Sequence, residues 1–257
     1  MRTIVITGAS SGIGEALALE YASSGVTLAI TGRNAERLEK VAKSCREKGA
    51  AVVTAILDVC DRAAMSAWLL ELDRTSPVDL LIANAGMIAG STADNAVEDG
   101  EAGHALLQTN ILGAANTAQP LIPTMMARRS GQIALMSSIA AFVPLAHAPS
   151  YSASKAALMN YGMSLRDALR PHGVKVSVIC PGFVDTRMSR SEAGPKPFLM
   201  NADKAAKKIA SGLARDREII MFPWFFGFIT WVSGLLPSWL RRAVSKPFEF
   251  SVKEKKR

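Results

Sequence analysis

The chain has 257 residues, 49% of them apolar and 20% charged, a length for one α/β domain or two small ones and a composition that excludes a disordered chain. Its net charge of +8 gathers at the C-terminus, where residues 241–257 hold seven basic side chains against two acidic ones. No finger spacing or aromatic–basic interleaving goes with that charge, so no nucleic-acid module is legible, and the three scattered cysteines match no metal-binding spacing.

The first apolar run, "TIVIT", is too short for a secretion signal and passes directly into glycine-rich sequence. Together with an odd number of distant cysteines (Cys45, Cys60, Cys180), this points to reduced thiols in a cytoplasmic protein. The run reads as a strand ending in "TGASSGIG", with a helix from about Ile13. Gly8, Gly12 and Gly14 allow a sharp turn and a close approach to a pyrophosphate, whose charge meets the helix N-terminus. Ser10, Ser11 and Ile13 belong to the same loop. Any strand-to-helix turn can hold glycines; the position directly after the first strand is what favours a dinucleotide.

The second run, "VTLAIT", leads into Gly32 and Arg33. An acidic residue there would bind an adenosine ribose 2′-hydroxyl and repel a 2′-phosphate. Gly32 leaves space and Arg33 supplies a cation that matches phosphate, so NADP(H) is favoured, with NAD(H) the alternative. The next segment, "NAERLEKVAKSCREKG", reads as a helix capped by Asn34, with Leu38, Val41 and Cys45 on one face and Gly49 past its end. The runs "AVVTAIL", "VDLLIAN", "QIALMSS", "KVSVIC" and "EIIMF" follow, separated by helical stretches. They are apolar nearly throughout, as strands buried on both faces are. The alternation predicts a mostly parallel sheet with helices on both sides and right-handed crossovers.

Asp94, Glu98, Asp99 and Glu101 form an acidic run that reads as a solvated loop or helix start, and His104, His147 and His172 have no acid partner at useful spacing. "QIALMSS" ends at Ser138, at the sheet edge where ligands gather. In "YSASK", Tyr151 and Lys155 lie four apart on one helix face, and the ammonium favours the phenolate. Tyr151 is therefore a candidate proton donor or acceptor at neutral pH. The stretch of about 183–201 mixes Gly, Pro, Ser and charges as a lid loop does, and an amphipathic helix begins near Asn201.

"TGASSGIG", "ANAG" at 83–86, Asn110 in "QTNILGA", Ser138, "YSASK" and "CPGFVDT" at 180–186 resemble, in order and separation, the short-chain dehydrogenase/reductase family from residue 2 to about 222. The resemblance implies a doubly wound Rossmann domain over 1–222, with a seven-stranded parallel sheet in the order 3-2-1-4-5-6-7. It implies Tyr151 as catalytic acid/base and Ser138 as the hydroxyl that orients the substrate oxygen. Lys155 would bind the nicotinamide ribose, and Asn110 would hold a water linking Lys155 to solvent. Asp58, followed by Val59, would meet the adenine. Asn84, Ala85 and Gly86 would flank the cofactor, and Pro181, Gly182, Val184 and Thr186 would cradle its nicotinamide end. The implied reaction is hydride transfer between the cofactor and a carbonyl or secondary alcohol, in a homodimer or homotetramer built on the helices of Asn110 and Tyr151. Some NADP-preferring members carry a basic residue where this chain has Ser11, so the cofactor reading rests on Arg33 and the missing acid. The rival reading is a nucleotide-binding regulator or scaffold on the same fold.

Phe142, Val143, Pro144 and Leu145, with Met188, Phe198, Leu199 and Met200 in the lid, are expected around the substrate and favour a lipophilic molecule such as a 3-oxo lipid. From Ile219 to Leu240 there are 22 residues without a charge. The seventh strand takes the first of them. Pro223–Leu240, interrupted at Pro237, is short for a span, and a span would carry the cationic tail to the far side. Trp224, Trp231 and Trp239 beside a basic cluster suit a segment lying on a membrane face. Thr230, Gly234 and Ser238 would instead suit packing on the domain or a second subunit, and both readings of 223–257 stay open.

Overall fold

The computed structural model describes residues 2–91, 97–225, 237 and 251–252. The seven main strands are β1 (Arg2–Thr7), β2 (Val26–Gly32), β3 (Ala51–Ile56), β4 (Val78–Ala83), β5 (Gln132–Met136), β6 (Lys175–Pro181) and β7 (Ile219–Phe222). They form one parallel sheet, as the alternation predicts, in the order 3-2-1-4-5-6-7 that the resemblance implies. This is a Rossmann-like α/β fold.

Alternate residues of each central strand feed opposite cores. On β1, Ile4 and Ile6 pack under helices α1 (Gly12–Tyr21), α2 (Ala35–Glu47) and α9 (Ala202–Ala214). Val5 faces the other way, toward α3 (Arg62–Thr75), α5 (Gly113–Ala118), α6 (Ile122–Ala127) and α7 (Pro149–Leu169). β4 slips by one residue against β1 between Thr3 and Ile4, and Asp79 at that irregularity accepts from the Thr3 N–H at 2.7 Å. The strand β3 departs from the expected double burial. It lies at the sheet edge, covered only in part, and leaves Val53 and Ile56 exposed.

The helix caps follow the local sequence. Asn34 Oδ1 accepts from the Arg37 N–H at 2.8 Å, and Leu38, Val41 and Cys45 face inward. Asn201 caps α9 through the Asp203 N–H at 2.8 Å. Between β4 and β5, α4 (Gly100–Leu107) runs through a π turn at Gln108–Leu112 into α5.

The lid stretch 183–201 has internal structure that its composition does not announce. Val184–Asp185 pairs with Met200–Asn201 at its base, and Thr186 opens the short helix α8 (Arg187–Arg190) with a reciprocal capping box. Glu192–Ala193 pairs antiparallel with Ser251–Val252. Among the described residues no helix is long and apolar enough to cross a membrane. The C-terminal segment 223–257 lies outside the described residues, apart from 223–225, 237 and 251–252, as does Asp94 of the acidic run.

Candidate active site

The C-terminal ends of β1 through β6 open into one cavity of about 590 Å³. A parallel sheet aligns its helix N-termini and strand-end loops at this edge, which makes it the natural ligand site.

At the end of β1 the backbone turns through Gly8 with φ +67°, and a Cβ there would lie 2.8 Å from the Ala85 Cα. Gly14 sits behind the loop in the first turn of α1. A Cβ on it would press into the Gly8 carbonyl oxygen and lie 2.6 Å from Asn84 Nδ2. Asn84 Nδ2 donates to the carbonyls of Thr7 (2.9 Å) and Gly8 (3.3 Å), while Thr7 Oγ1 accepts from the N–H groups of Asn84 and Ala85, each at 3.1 Å. The glycine turn and the loop after β4 are thus locked together. The space left above them is a cradle of backbone and small side chains that fits a pyrophosphate.

One end of the cavity is cationic. Arg33 is 69% exposed and makes a 3.5 Å ion pair with Asp58. The Cys60 N–H, at 3.0 Å from Oδ1, and the Arg33 guanidinium hold the Asp58 carboxyl below its ordinary range. Arg37, one turn into α2, lines the same end, and its Nε is buried without a hydrogen-bond partner among the described residues.

The other end gathers Ser138, Tyr151 and Lys155. Ser138 begins a 3₁₀ turn at Ile139–Phe142; its Oγ accepts from the Ala140 N–H at 3.1 Å and donates to the Pro181 carbonyl at 3.4 Å. Lys155 Nζ lies 5.6 Å from the Tyr151 ring centroid and donates to the Met136 carbonyl at 2.9 Å. Burial lowers the Lys155 pKa from 10.5 to about 8, against the opposing pull of Cys180. The Ser137 hydroxyl donates to the Lys155 carbonyl at 2.7 Å and ties α7 to β5.

Of the residues expected at the site, all line the cavity except Gly14 and Asn110, which stand behind it. Asn110 is fully buried in the π turn. Its Oδ1 accepts from the Met87 N–H at 2.8 Å, and its Nδ2 donates to the Met87 carbonyl and to Ser154 Oγ, each at 3.0 Å. Both amide protons are taken, so the Asn110 side chain braces the loop after β4. Among the expected substrate contacts, Val143, Leu145 and Met188 line the cavity, whereas Phe142, Pro144, Phe198, Leu199 and Met200 do not. The pairing at the lid base turns Phe198 and Leu199 outward, 58% and 49% exposed.

The reading of the acidic run as a solvated loop or helix start needs division. Asp99 starts α4 by accepting from the Ala102 N–H at 2.8 Å. Glu98 is only half exposed, and its carboxylate holds Ser150 at the start of α7. Thr7, Arg37, Ser137 and Glu98 are the supporting residues that motif reading passes over. Thr7 and Ser137 stand inside quoted stretches, where nothing local announces their bracing role; Arg37 has only its helical spacing from Arg33 as a signal.

A Rossmann-like sheet, a glycine turn and a Ser–Tyr–Lys group over one cavity define a nicotinamide-dependent oxidoreductase. Comparison with known proteins agrees: the family model described as short chain dehydrogenase matches residues 2–196. The chain belongs to the short-chain dehydrogenase/reductase family. It is 35% identical over 246 residues to an uncharacterized oxidoreductase of Myxococcus xanthus, covering 95% of this chain and 96% of that one. It is 34% identical over 248 residues to 11-beta-hydroxysteroid dehydrogenase 1A of Arabidopsis thaliana, covering 87% and 69%. Among solved structures, a short-chain dehydrogenase from Sphingobium yanoikuyae in complex with NADPH superposes with a TM-score of 0.77 at 27% identity, covering 87% and 89%.

Proposed function

We propose that this short-chain dehydrogenase/reductase uses NADP(H) to interconvert a lipophilic carbonyl compound and its secondary alcohol, with Tyr151 as the proton donor. The observation that carries the reading is the cavity itself, with Ser138, Tyr151 and Lys155 at one end and two arginines at the other. Tyr151 gives its phenol proton to the carbonyl oxygen and takes it back in the reverse direction. Ser138 donates to the same oxygen as charge develops there. Its 3.4 Å bond to the Pro181 carbonyl is long enough to be exchanged readily for substrate. The Lys155 ammonium beside the ring favours the phenolate and is placed to hold the nicotinamide ribose. A bound nicotinamide supplies the hydride. The role of Asn110 in this scheme is to keep Met87 and Ser154 in place.

Arg33 just after β2 and Arg37 in α2, with no acid at the end of β2, support NADP(H) over NAD(H). The Sphingobium neighbour was solved with NADPH, which accords with this. Arg33→Ala is expected to raise the KM for NADPH about 10- to 100-fold, the worth of one charged hydrogen bond, and to leave the KM for NADH within about twofold. Equal changes for the two cofactors, read from initial rates, would contradict the assignment.

Ile139, Val143, Leu145 and Met188 give the reacting end an apolar wall. The plant relative is named for a hydroxysteroid, which is in keeping with a bulky apolar substrate. At the lid side, Phe198 and Leu199 are exposed, and so is Trp224 at 74%. Phe225 packs edge-on against both Phe198 and Trp224, with centroids 5.0 and 6.1 Å apart. With the cationic tail, this rim supports a contact with an anionic membrane face. The full-length chain is expected to sediment with anionic vesicles, less so in high salt and less so as Phe198→Asp. Equal recovery with anionic and neutral vesicles would argue for the subunit-facing alternative.

A further inference from the structure

We infer that Glu98 is a positioning residue that caps helix α7 from outside and holds its first turn, and with it Tyr151, in register; the inference rests on the role proposed above for Tyr151. Helix α7 starts without a cap of its own. Its N-cap residue is Ala148, which offers no side-chain acceptor, and Pro149 follows with no N–H. The next residue, Ser150, presents both a backbone N–H and a hydroxyl, and Glu98 Oε1 accepts both, the N–H at 2.9 Å. Tyr151 comes directly after. A carboxylate at this place also meets the positive end of a 21-residue helix.

Glu98 is itself held in place. Asp99 beside it caps α4, and α4 packs on Ser150: a Cβ on Gly103 would lie 2.9 Å from Ser150 Oγ and 3.3 Å from Glu98 Oε1. A second tether runs parallel to it, from the Ser91 N–H to the His147 carbonyl at 2.6 Å. Glu98 Oε2 is buried with no partner among the described residues. A half-satisfied carboxylate is costly, and among the described residues the two donors converging on Oε1 offset that cost.

The body of α7 does not depend on this contact. Lys155 is fixed one turn further on by its bonds to Met136 and Ser137, and Leu158 and Leu169 sit in the core. Loss of Glu98 therefore loosens the first turn alone. Tyr151 shifts while the ribose-binding lysine and the glycine loop stay, so chemistry suffers and cofactor binding does not.

The test is a series of variants assayed per NADPH-binding site, with sites counted by fluorescence titration so that misfolded protein is excluded. Glu98→Ala is expected to lower kcat about 10- to 100-fold, as misplacement of a reacting group by about 1 Å does, with the NADPH Kd within about twofold of wild type. Glu98→Gln keeps an acceptor for the Ser150 N–H and is expected to recover most of kcat. Ser150→Ala removes only the hydroxyl bond and should fall between. Wild-type kcat per site in Glu98→Ala, or a Glu98→Gln variant no better than the alanine, would overturn the inference. Failure of the underlying reading is distinguishable: Tyr151→Phe would then retain wild-type turnover, whatever Glu98 does.

Discussion

Replacing Tyr151 with phenylalanine is expected to reduce carbonyl reduction by about a thousandfold, the middle of the range that one positioned proton donor contributes. The ring is retained, so the Lys155 ammonium keeps its place 5.6 Å above it and NADPH binding survives. Lys155 also sets a pH dependence. Its folded pKa of about 8 lies below the ordinary 10.5 because burial disfavours the ammonium. The charged form is present below pH 8 and is lost as pH rises through that value. Because kcat/KM reports the free enzyme, it is expected to fall across this range. Initial rates and a cofactor titration on the same protein preparations check both statements. Tyr151→Phe with more than a tenth of wild-type turnover would remove Tyr151 from the chemistry.

Gly14→Ala is the second change with a large expected effect, and it acts without touching the cavity. The added Cβ meets the Gly8 carbonyl and Asn84 Nδ2, both parts of the lock between the glycine turn and the loop after β4. Neither is the free end of a flexible side chain, so α1 must move away from the strand. Overpacking of this kind costs about 1–3 kcal/mol, which corresponds to a fall of roughly 3–10 °C in Tm for a chain of this size. NADPH affinity should drop by about a hundredfold, since the phosphate-facing N–H groups move with the helix. A thermal melt with and without NADPH reads both effects. The ligand-induced rise in Tm is expected to vanish in the variant, and a rise equal to that of wild type would show that the turn tolerates a side chain at this position.

The sheet was legible because its signal is local and repeated. Seven apolar runs alternating with helical stretches announce a mostly parallel sheet with right-handed connections, and the family resemblance supplies the strand order. The ends of those runs placed Gly8, Arg33 and Ser138 at one edge, the resemblance added Asn84 and Pro181, and the structure brings all five to one cavity. What stayed hidden depends on contacts between distant segments. Glu98 reads as one charge in an acidic run, and nothing local shows that Ser150, 52 positions away, lacks a cap and needs it. Asn110 matches its motif, yet only the π turn reveals that its amide is spent on Met87 and Ser154. Phe198 and Leu199 look like pocket lining by composition, but the pairing of Val184 with Met200 turns them to the surface. The edge position of β3 is likewise a property of the whole sheet, invisible in a run as apolar as its neighbours.

Oxidation of the nicotinamide, followed by absorbance at 340 nm while full-length protein and NADPH meet a panel of aldehydes and ketones graded in apolar bulk, tests the central claim most directly. Carbonyl-dependent consumption of NADPH is expected, faster than that of NADH, strongest with the bulkier apolar members and about a thousandfold slower in Tyr151→Phe. Tight NADPH binding with no consumption for any carbonyl across the panel would contradict it and favour a nucleotide-binding regulator on the same fold.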